Sequence, residues 1–341
     1  MRILVTGGAG FIGSNFVCSL LARYPEYEVV VLDKLTYAGN INNLSSVLPL
    51  KNCRFIRGDI ADPIAVQQAM QGCQAVVNFA AETHVDRSIL SCDAFIRTNI
   101  EGTHVLLEAA RKHSVRRFIQ ISTDEVYGNA LSPEGVSRPS LETDALRPMS
   151  PYAASKAAAD CLAYSYWTTY RLPVVITRCG NNYGPHQYPE KQLPLFILNA
   201  IEDRPLPIYG TGENIRDWIH VYDHAAAIMT LLHQDDTVHG EIFNVGAGEE
   251  RTVLQNAHIV LQLVEKPQSL IHFVGDRQGH VFRHAVNASK LKRVTNWQAQ
   301  ISFTEGIKQT VAWYLSNSKW LTDVNTRSNA FLEKALHLAE I

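Results

Sequence analysis

The sequence predicts an α/β fold, a doubly wound parallel sheet with a smaller C-terminal lobe. Three observations predict it. Short apolar runs rich in β-branched residues recur through the first half of the chain. Longer amphipathic stretches alternate with them, and a glycine-rich turn joins the first run to the first such stretch. Regular β–α alternation places helices on both faces of a parallel sheet through right-handed crossovers.

Taken in order, the runs over 3–5, 29–32, 54–56, 75–79, 118–121 and 174–177 read as strands. They are predominantly apolar rather than alternating, as strands buried on both faces are. Helix patterns lie between them at 13–23, 63–70, 103–113 and 152–170. The basic run Arg111, Lys112, Arg116 and Arg117 reads as a helix end, where cations complement the macrodipole. Beyond about Asn181 the pattern loosens. The segment NNYGPHQYPEKQLP is rich in turn formers, and the later elements read as short and irregular. The expected division is a sheet domain over 1–180, a smaller lobe over 181–320 with returns to the main sheet, and a tail over 321–341.

Composition excludes several classes. The chain has 341 residues, 46% hydrophobic and 19% charged, which is globular composition and enough for one large or two fused domains. Its 31 basic and 33 acidic side chains leave −2, so no global field draws it to nucleic acid or anionic lipid. No apolar run reaches the roughly 18–20 residues that span a bilayer. The start, MRILVTGG, reads as a buried strand rather than a signal peptide. Six cysteines (Cys18, Cys53, Cys73, Cys92, Cys161, Cys179) are scattered, with no CxxC pair and no Cys/His cluster at zinc spacing. They read as small buried side chains in a reducing compartment. The expectation is a cytoplasmic chain without a metal, a nucleic-acid partner or a membrane partner.

The strongest local signal is TGGAGFIG at 6–13, where Gly7, Gly10 and Gly13 stand between a strand and a helix. Missing side chains permit a tight turn and bring the backbone to a pyrophosphate at the positive end of the helix. The next strand ends in Asp33, placed to accept bonds from ribose hydroxyls and to repel a 2′-phosphate. This is a Rossmann-type arrangement that selects NAD over NADP. Topology then puts Asp59 and Ile60 near the adenine, and Phe79, Ala80 and Ala81 beside the dinucleotide. A second signal is Tyr152 with Lys156, one helical turn apart and so on one face. The ammonium, with the positive nicotinamide, is expected to favour the phenolate and lower the tyrosine pKa. Ser122 and Thr123 end a strand upstream and supply hydroxyls to share an alcohol proton.

With TGGAGFIG, Asp33, STDEVYG at 122–128, YAASK at 152–156 and NNYGP at 181–185, the chain resembles the extended short-chain dehydrogenase/reductase family over about residues 1–315. The adjacent acids after Thr123 are similar to those of the dTDP-glucose 4,6-dehydratases, as are LDKLTYAGN at 32–40, AETHVDRSI at 81–89, NNYGPHQYPEK at 181–191 and RDWIHVYDH at 216–224. The resemblance implies oxidation of a nucleotide sugar at C4, loss of water across C5 and C6, and hydride return to C6. It implies Glu125 as the base at C5, Asp124 as the acid at the C6 hydroxyl, and Tyr152, with Thr123 and Lys156, at the C4 hydroxyl. Environment must then keep one carboxyl charged and the other neutral.

The same resemblance places Lys34, Thr36, Thr98 and Ser122 at the cofactor. It places Asn181, Lys191, Arg216, Asn244, Arg277 and His280 at the nucleotide sugar, while His84 and Asp86 either line the sugar site or brace the loop. It also implies a homodimer formed by packing two helices from each subunit. The chain departs from the family pattern, which commonly has a segment like DRPGHDRRYA, with Val281, Phe282 and His284 in DRQGHVFRHA at 276–285. Thymidine and uridine both stay open as the base, and so does the sugar. A UDP-sugar 4-epimerase or UDP-glucuronate decarboxylase is the alternative, sharing NAD, Tyr152 and Lys156. A non-catalytic NAD-sensing regulator is a third reading, which the intact Tyr/Lys pair disfavours.

Overall fold

In the computed structural model, residues 1–132 and 134–324 are described. The apolar run after Met1 becomes strand β1 (Arg2–Thr6), which sends Ile3 and Val5 into one core and Leu4 into another. The period-two alternation of a strand thus feeds both faces of the sheet. β2 (Glu28–Asp33) repeats the division, with Val29 and Val31 on one side and Val30 and Leu32 on the other.

Five further strands complete a seven-stranded parallel sheet: β3 (Cys53–Arg57), β4 (Ala75–Asn78), β5 (Arg117–Thr123), β6 (Val174–Cys179) and, after three strands of the second lobe, β10 (Ile242–Val245). Their order is β10-β6-β5-β4-β1-β2-β3. The chain moves outward one way from β1 through β2 and β3, then the other way through β4, β5 and β6. That reversal opens a crevice at the carboxyl ends of β1 and β4, where such sheets hold ligands. β4 is one residue shorter than expected, because Phe79 already turns away to follow the crevice.

The intervening strands are β7 (Asn181–Tyr183), β8 (Leu206–Tyr209) and β9 (Ile215–His220); β11 (Glu250–Thr252), β12 (Ile271–Val274) and β13 (Arg283–His284) follow β10. β9 pairs with β7, β11 and β13, while β8 pairs with β12. The elements beyond Asn181 are more regular than their turn-rich sequence suggests. Helices Gln192–Ile201, Val221–Leu232, Val253–Leu263 and Phe303–Ser316 are all well formed. Three of them pack around a third core containing Phe196, Trp218, Val260, Phe303 and Tyr314. Burial of that apolar face outweighs local turn propensity.

Arg111 and Lys112 do end a helix, Thr103–Lys112. Arg117 instead opens β5 and is buried, donating to the carbonyls of Leu231, Gln234 and Asp235. It caps the end of helix Val221–Leu232 from the neighbouring strand. All six cysteines are unpaired; Cys53, Cys73 and Cys179 are buried, whereas Cys92 and Cys161 are exposed. Of the tail, residues 325–341 lie outside the described residues. Among the described residues, no helix is long and apolar enough to cross a membrane.

Candidate active site

The glycine turn is built by close approach. Gly7 has φ +67°, and a Cβ there would stand 2.5 Å from the Ala80 nitrogen. A Cβ on Gly13 would overlap the Gly7 carbonyl oxygen, so these two glycines let the turn fold against β4 and the helix Phe11–Arg23. Gly10 differs: a Cβ there would meet only the Gly7 oxygen, at 3.2 Å. Its missing side chain leaves free space, on the side where a pyrophosphate would approach the helix N-terminus.

Asp33 ends β2 beside this turn. Its Oδ2 accepts from the Ala9 nitrogen at 2.9 Å and its Oδ1 from the Leu35 nitrogen at 2.8 Å. Burial pushes the carboxyl up, and the two backbone donors pull it back. Lys34 pairs with Asp59 at 2.8 Å across the outer end of the crevice. Thr36, Ile60, Thr98, Phe79, Ala80 and Ala81 line its length, with Phe11 and Ile12 at the helix start. The crevice continues to Ser122, Thr123, Tyr152 and Lys156. A slot open above Gly10, with an acid at the end of β2, fits a dinucleotide such as NAD.

Helix Pro151–Tyr170 begins at Ser150, whose side chain caps the Ala153 nitrogen, and so Tyr152 and Lys156 are set in its first turns. The Lys156 ammonium donates to the Ile121 carbonyl at 2.6 Å and is lowered by burial. The Tyr152 phenol is pushed well up, first by burial and then by the Glu125 and Cys179 charges, with Thr123 bonding pulling it down. The Lys156 ammonium, turned onto a main-chain oxygen of β5, is not among the leading influences on the phenol, which burial dominates.

The acids follow β5 in a short turn, Asp124–Tyr127. Thr123 Oγ1 donates to Asp124 Oδ1 at 3.3 Å, and Asp124 Oδ2 has no partner. Burial and the Glu125 charge push Asp124 well above the usual carboxylate range, against a weaker pull from Arg216. Glu125 is also raised by burial, but Lys191, Arg216 and Arg277 all oppose the rise. Adjacent carboxyls thus sit in unequal fields.

A second cavity of about 550 Å³ meets the first at Glu125, Asn181 and Lys191, which line both. His84, Asp86, Arg216, Arg277 and His280 line the second. Arg277 is held by Asp86 at 2.6 Å, His280 by Asp276 at 2.7 Å, and Lys191 donates to the Thr83 carbonyl at 2.8 Å. His84 contacts the Glu190 carbonyl at 3.2 Å, so it braces the loop as well as lining the wall. Asn244 is not brought to either cavity. It is fully buried, accepting from the Tyr127 hydroxyl at 2.9 Å and donating to the Ser140 carbonyl at 2.9 Å. Its place on β10, beneath the 127–142 segment, makes it a brace rather than a wall.

Sequence reasoning passed over several lining residues. Tyr188 and Glu190 lie in the 181–191 motif but carried no role; the Glu190 carboxylate is buried and takes two bonds from Arg87, one at 3.0 Å. Asn199, Arg204, Tyr209 and His272 line the far end of the second cavity. They are isolated polar or aromatic residues without spacing that marks them. His284, visible in sequence only as a departure, also lines this cavity.

Comparison with known proteins agrees with this arrangement. A dTDP-glucose 4,6-dehydratase of Streptomyces niveus is 47% identical over 324 residues, 94% of each chain. The dTDP-glucose 4,6-dehydratase 1 of Escherichia coli K12 is 45% identical over 96% of each. The crystal structure of DesIV from Streptomyces venezuelae, a dTDP-glucose 4,6-dehydratase with NAD bound, matches with a TM-score of 0.90 and 45% identity, covering 94% of this chain and 98% of that one. The family model described as GDP-mannose 4,6 dehydratase matches residues 4–310, the span that holds both cavities and the acid pair. The chain belongs to that family.

Proposed function

We propose that this protein is an NAD-dependent lyase that converts dTDP-glucose to the 4-keto-6-deoxy sugar, by oxidation at C4, loss of water across C5 and C6, and reduction at C6. The observation that carries the reading is the acid pair. Glu125 stands where the two cavities meet with Asp124 beside it in the first, the Asp124 carboxyl pushed well up by burial and the rise of Glu125 opposed by three cations. An elimination needs an acid and a base. The names of the relatives support the nucleotide and the sugar.

NAD, when bound, supplies the hydride acceptor for C4, the hydride donor for C6 and, as its oxidised ring, the positive charge that favours a Tyr152 phenolate. Tyr152 takes the proton of the C4 hydroxyl, and Thr123, bonded to it, steadies the oxygen as its charge changes. Lys156, anchored on Ile121, keeps a positive charge in the same buried pocket. The resulting ketone acidifies C5. Glu125 removes the C5 proton, and Asp124 gives its proton to the departing C6 hydroxyl, which leaves as water. Asp33 holds the ribose of the cofactor, and Arg216, Arg277 and Lys191 face the diphosphate of the substrate.

The protein acts as a cytoplasmic homodimer in this reading. Tyr164 and Tyr170 stand 47% and 53% exposed on helix Pro151–Tyr170, apolar surface suited to a two-helix interface. The six unpaired cysteines suit a reducing compartment. Separate incubation with dTDP-glucose, UDP-glucose, GDP-mannose and UDP-N-acetylglucosamine tests the reaction and the base together. Loss of water from dTDP-glucose is expected. Conversion of a UDP-sugar at constant mass would make the protein an epimerase instead.

A further inference from the structure

One buried polar group in the second cavity has no part in the mechanism above. His284 is 5% exposed, lines the cavity, and its Nε2 has no hydrogen-bond partner. It stands on β13 directly opposite Arg216 on β9 in the pairing register. A buried ring nitrogen left unpaired costs free energy, so such a group in a cavity wall marks a place that a ligand completes.

Its surroundings say what kind of ligand. The charged or ionisable groups facing His284 are Arg216 on β9, and Arg277 and His280 on the segment before β13. Arg277 is already paired with Asp86, and His280 with Asp276. Among the described residues Arg216 donates to the main-chain carbonyls of Ile215, Val281 and Phe282, and the Glu125 and Asp124 carboxyls act on it through space without a hydrogen bond. These cations and burial disfavour a proton gain, so the ring stays neutral and carries one N–H. An N–H donor beside a guanidinium that holds no carboxylate by a hydrogen bond is a site for a phosphate oxygen.

We propose that His284 is a substrate-positioning residue that donates its ring N–H to the diphosphate of the bound nucleotide sugar, next to Arg216. This rests on the reading above that the substrate is a nucleoside-diphosphate hexose. The family commonly has a tyrosine in this segment, so a histidine donor here is a departure of this chain.

The test compares native, His284→Gln and His284→Phe proteins, all loaded with NAD. KM and kcat are measured with dTDP-glucose, and the inhibition constant with dTDP, which has the diphosphate but no hexose. For His284→Phe, both KM and the dTDP constant should rise tenfold or more, with a smaller change in kcat. His284→Gln, which keeps an N–H donor at similar reach, should recover most of that loss. If dTDP binding is unchanged while KM rises, the contact is to the hexose and the diphosphate assignment falls. Unchanged values for both ligands overturn any substrate role. Should His284→Phe fail to fold, His284→Ala, which makes no steric demand, carries the same comparison. A native protein that leaves dTDP-glucose unchanged but binds dTDP refutes the dehydratase reading while leaving the dTDP arm decisive.

Discussion

Lys191 and Glu125 meet where the two cavities join: both side chains line both cavities, and the lysine is the foremost of three cations that oppose the rise of the Glu125 carboxyl on burial. Asp124, one residue earlier, is opposed by one cation, Arg216, and by the Thr123 hydrogen bond, and is pushed up further by Glu125 itself. Two acids of the same local sequence thereby sit in unequal fields, the condition that a base and an acid at one site require.

The division of labour is open to direct measurement. Glu125→Gln should lower dehydration by about 10²–10⁴-fold, the usual contribution of a positioned base. C4 oxidation should persist, so rapid mixing with dTDP-glucose should show a reduced-nicotinamide band that does not decay. Asp124→Asn should slow loss of the C6 hydroxyl, and a substrate with fluoride at C6 should partly rescue it. Native rates in Glu125→Gln would make the acid pair structural.

Asp33 is expected to set cofactor choice. Its carboxylate also orders the glycine turn through the Ala9 nitrogen, so Asp33→Ala should weaken NAD binding and narrow its preference over NADP. Direct titration of both dinucleotides checks this, with tenfold or more lost for NAD. An unchanged NAD/NADP ratio would contradict the assignment.

The glycines should separate folding from binding. Gly10→Ala meets only one atom, at 3.2 Å, and should leave the melting temperature within a few degrees while abolishing NAD retention. Gly13→Ala drives its methyl into the Gly7 carbonyl and should lower both. Thermal melts and the NAD content of purified protein distinguish the two. Equal destabilisation would place Gly10 in the packing of the turn.

Asp217 should leave a signature in stability against pH. It is buried, accepts from the Glu249 nitrogen at 3.0 Å, and is pushed up to about 7 by burial. Because the folded pKa exceeds the unfolded one, folding is penalised progressively as pH rises from about 4 to 7, and fully above that. Asp217→Asn keeps an acceptor for Glu249 and carries no charge. Its stability relative to native should therefore increase with pH between 5 and 7, by at most about 1.4 kcal/mol per pH unit. Denaturant melts at pH 5, 6, 7 and 8 measure it; a pH-independent difference would show that Asp217 keeps its charge when folded.

The glycine turn, Asp33, the strand ending in Thr123 and the Tyr152/Lys156 turn were legible because each depends on short-range chemistry. Glycine spacing, an acid at a strand end and a four-residue helical repeat all occur within one segment. The regular helices after Asn181 were not legible, because turn formers dominate the start of that region and the helices are held by a core assembled from distant pieces. Asn244 shows the same limit. The family resemblance pointed to substrate, whereas its contacts with Tyr127 and Ser140 span more than 100 residues.

By itself, the sequence determined the parallel sheet, the dinucleotide crevice and the candidate residues for the chemistry, since local pattern dictates strand, turn and helix. Tertiary structure alone decided how those residues are charged. Whether Tyr152 is helped by Lys156, whether Asp124 or Glu125 holds a proton, and whether His284 faces a ligand depend on burial and on cations brought from β9 and from the loops around Lys191 and Arg277. Electrostatic energy depends on distance through a low-dielectric interior, and distance in the folded chain is not recorded in the order of its residues.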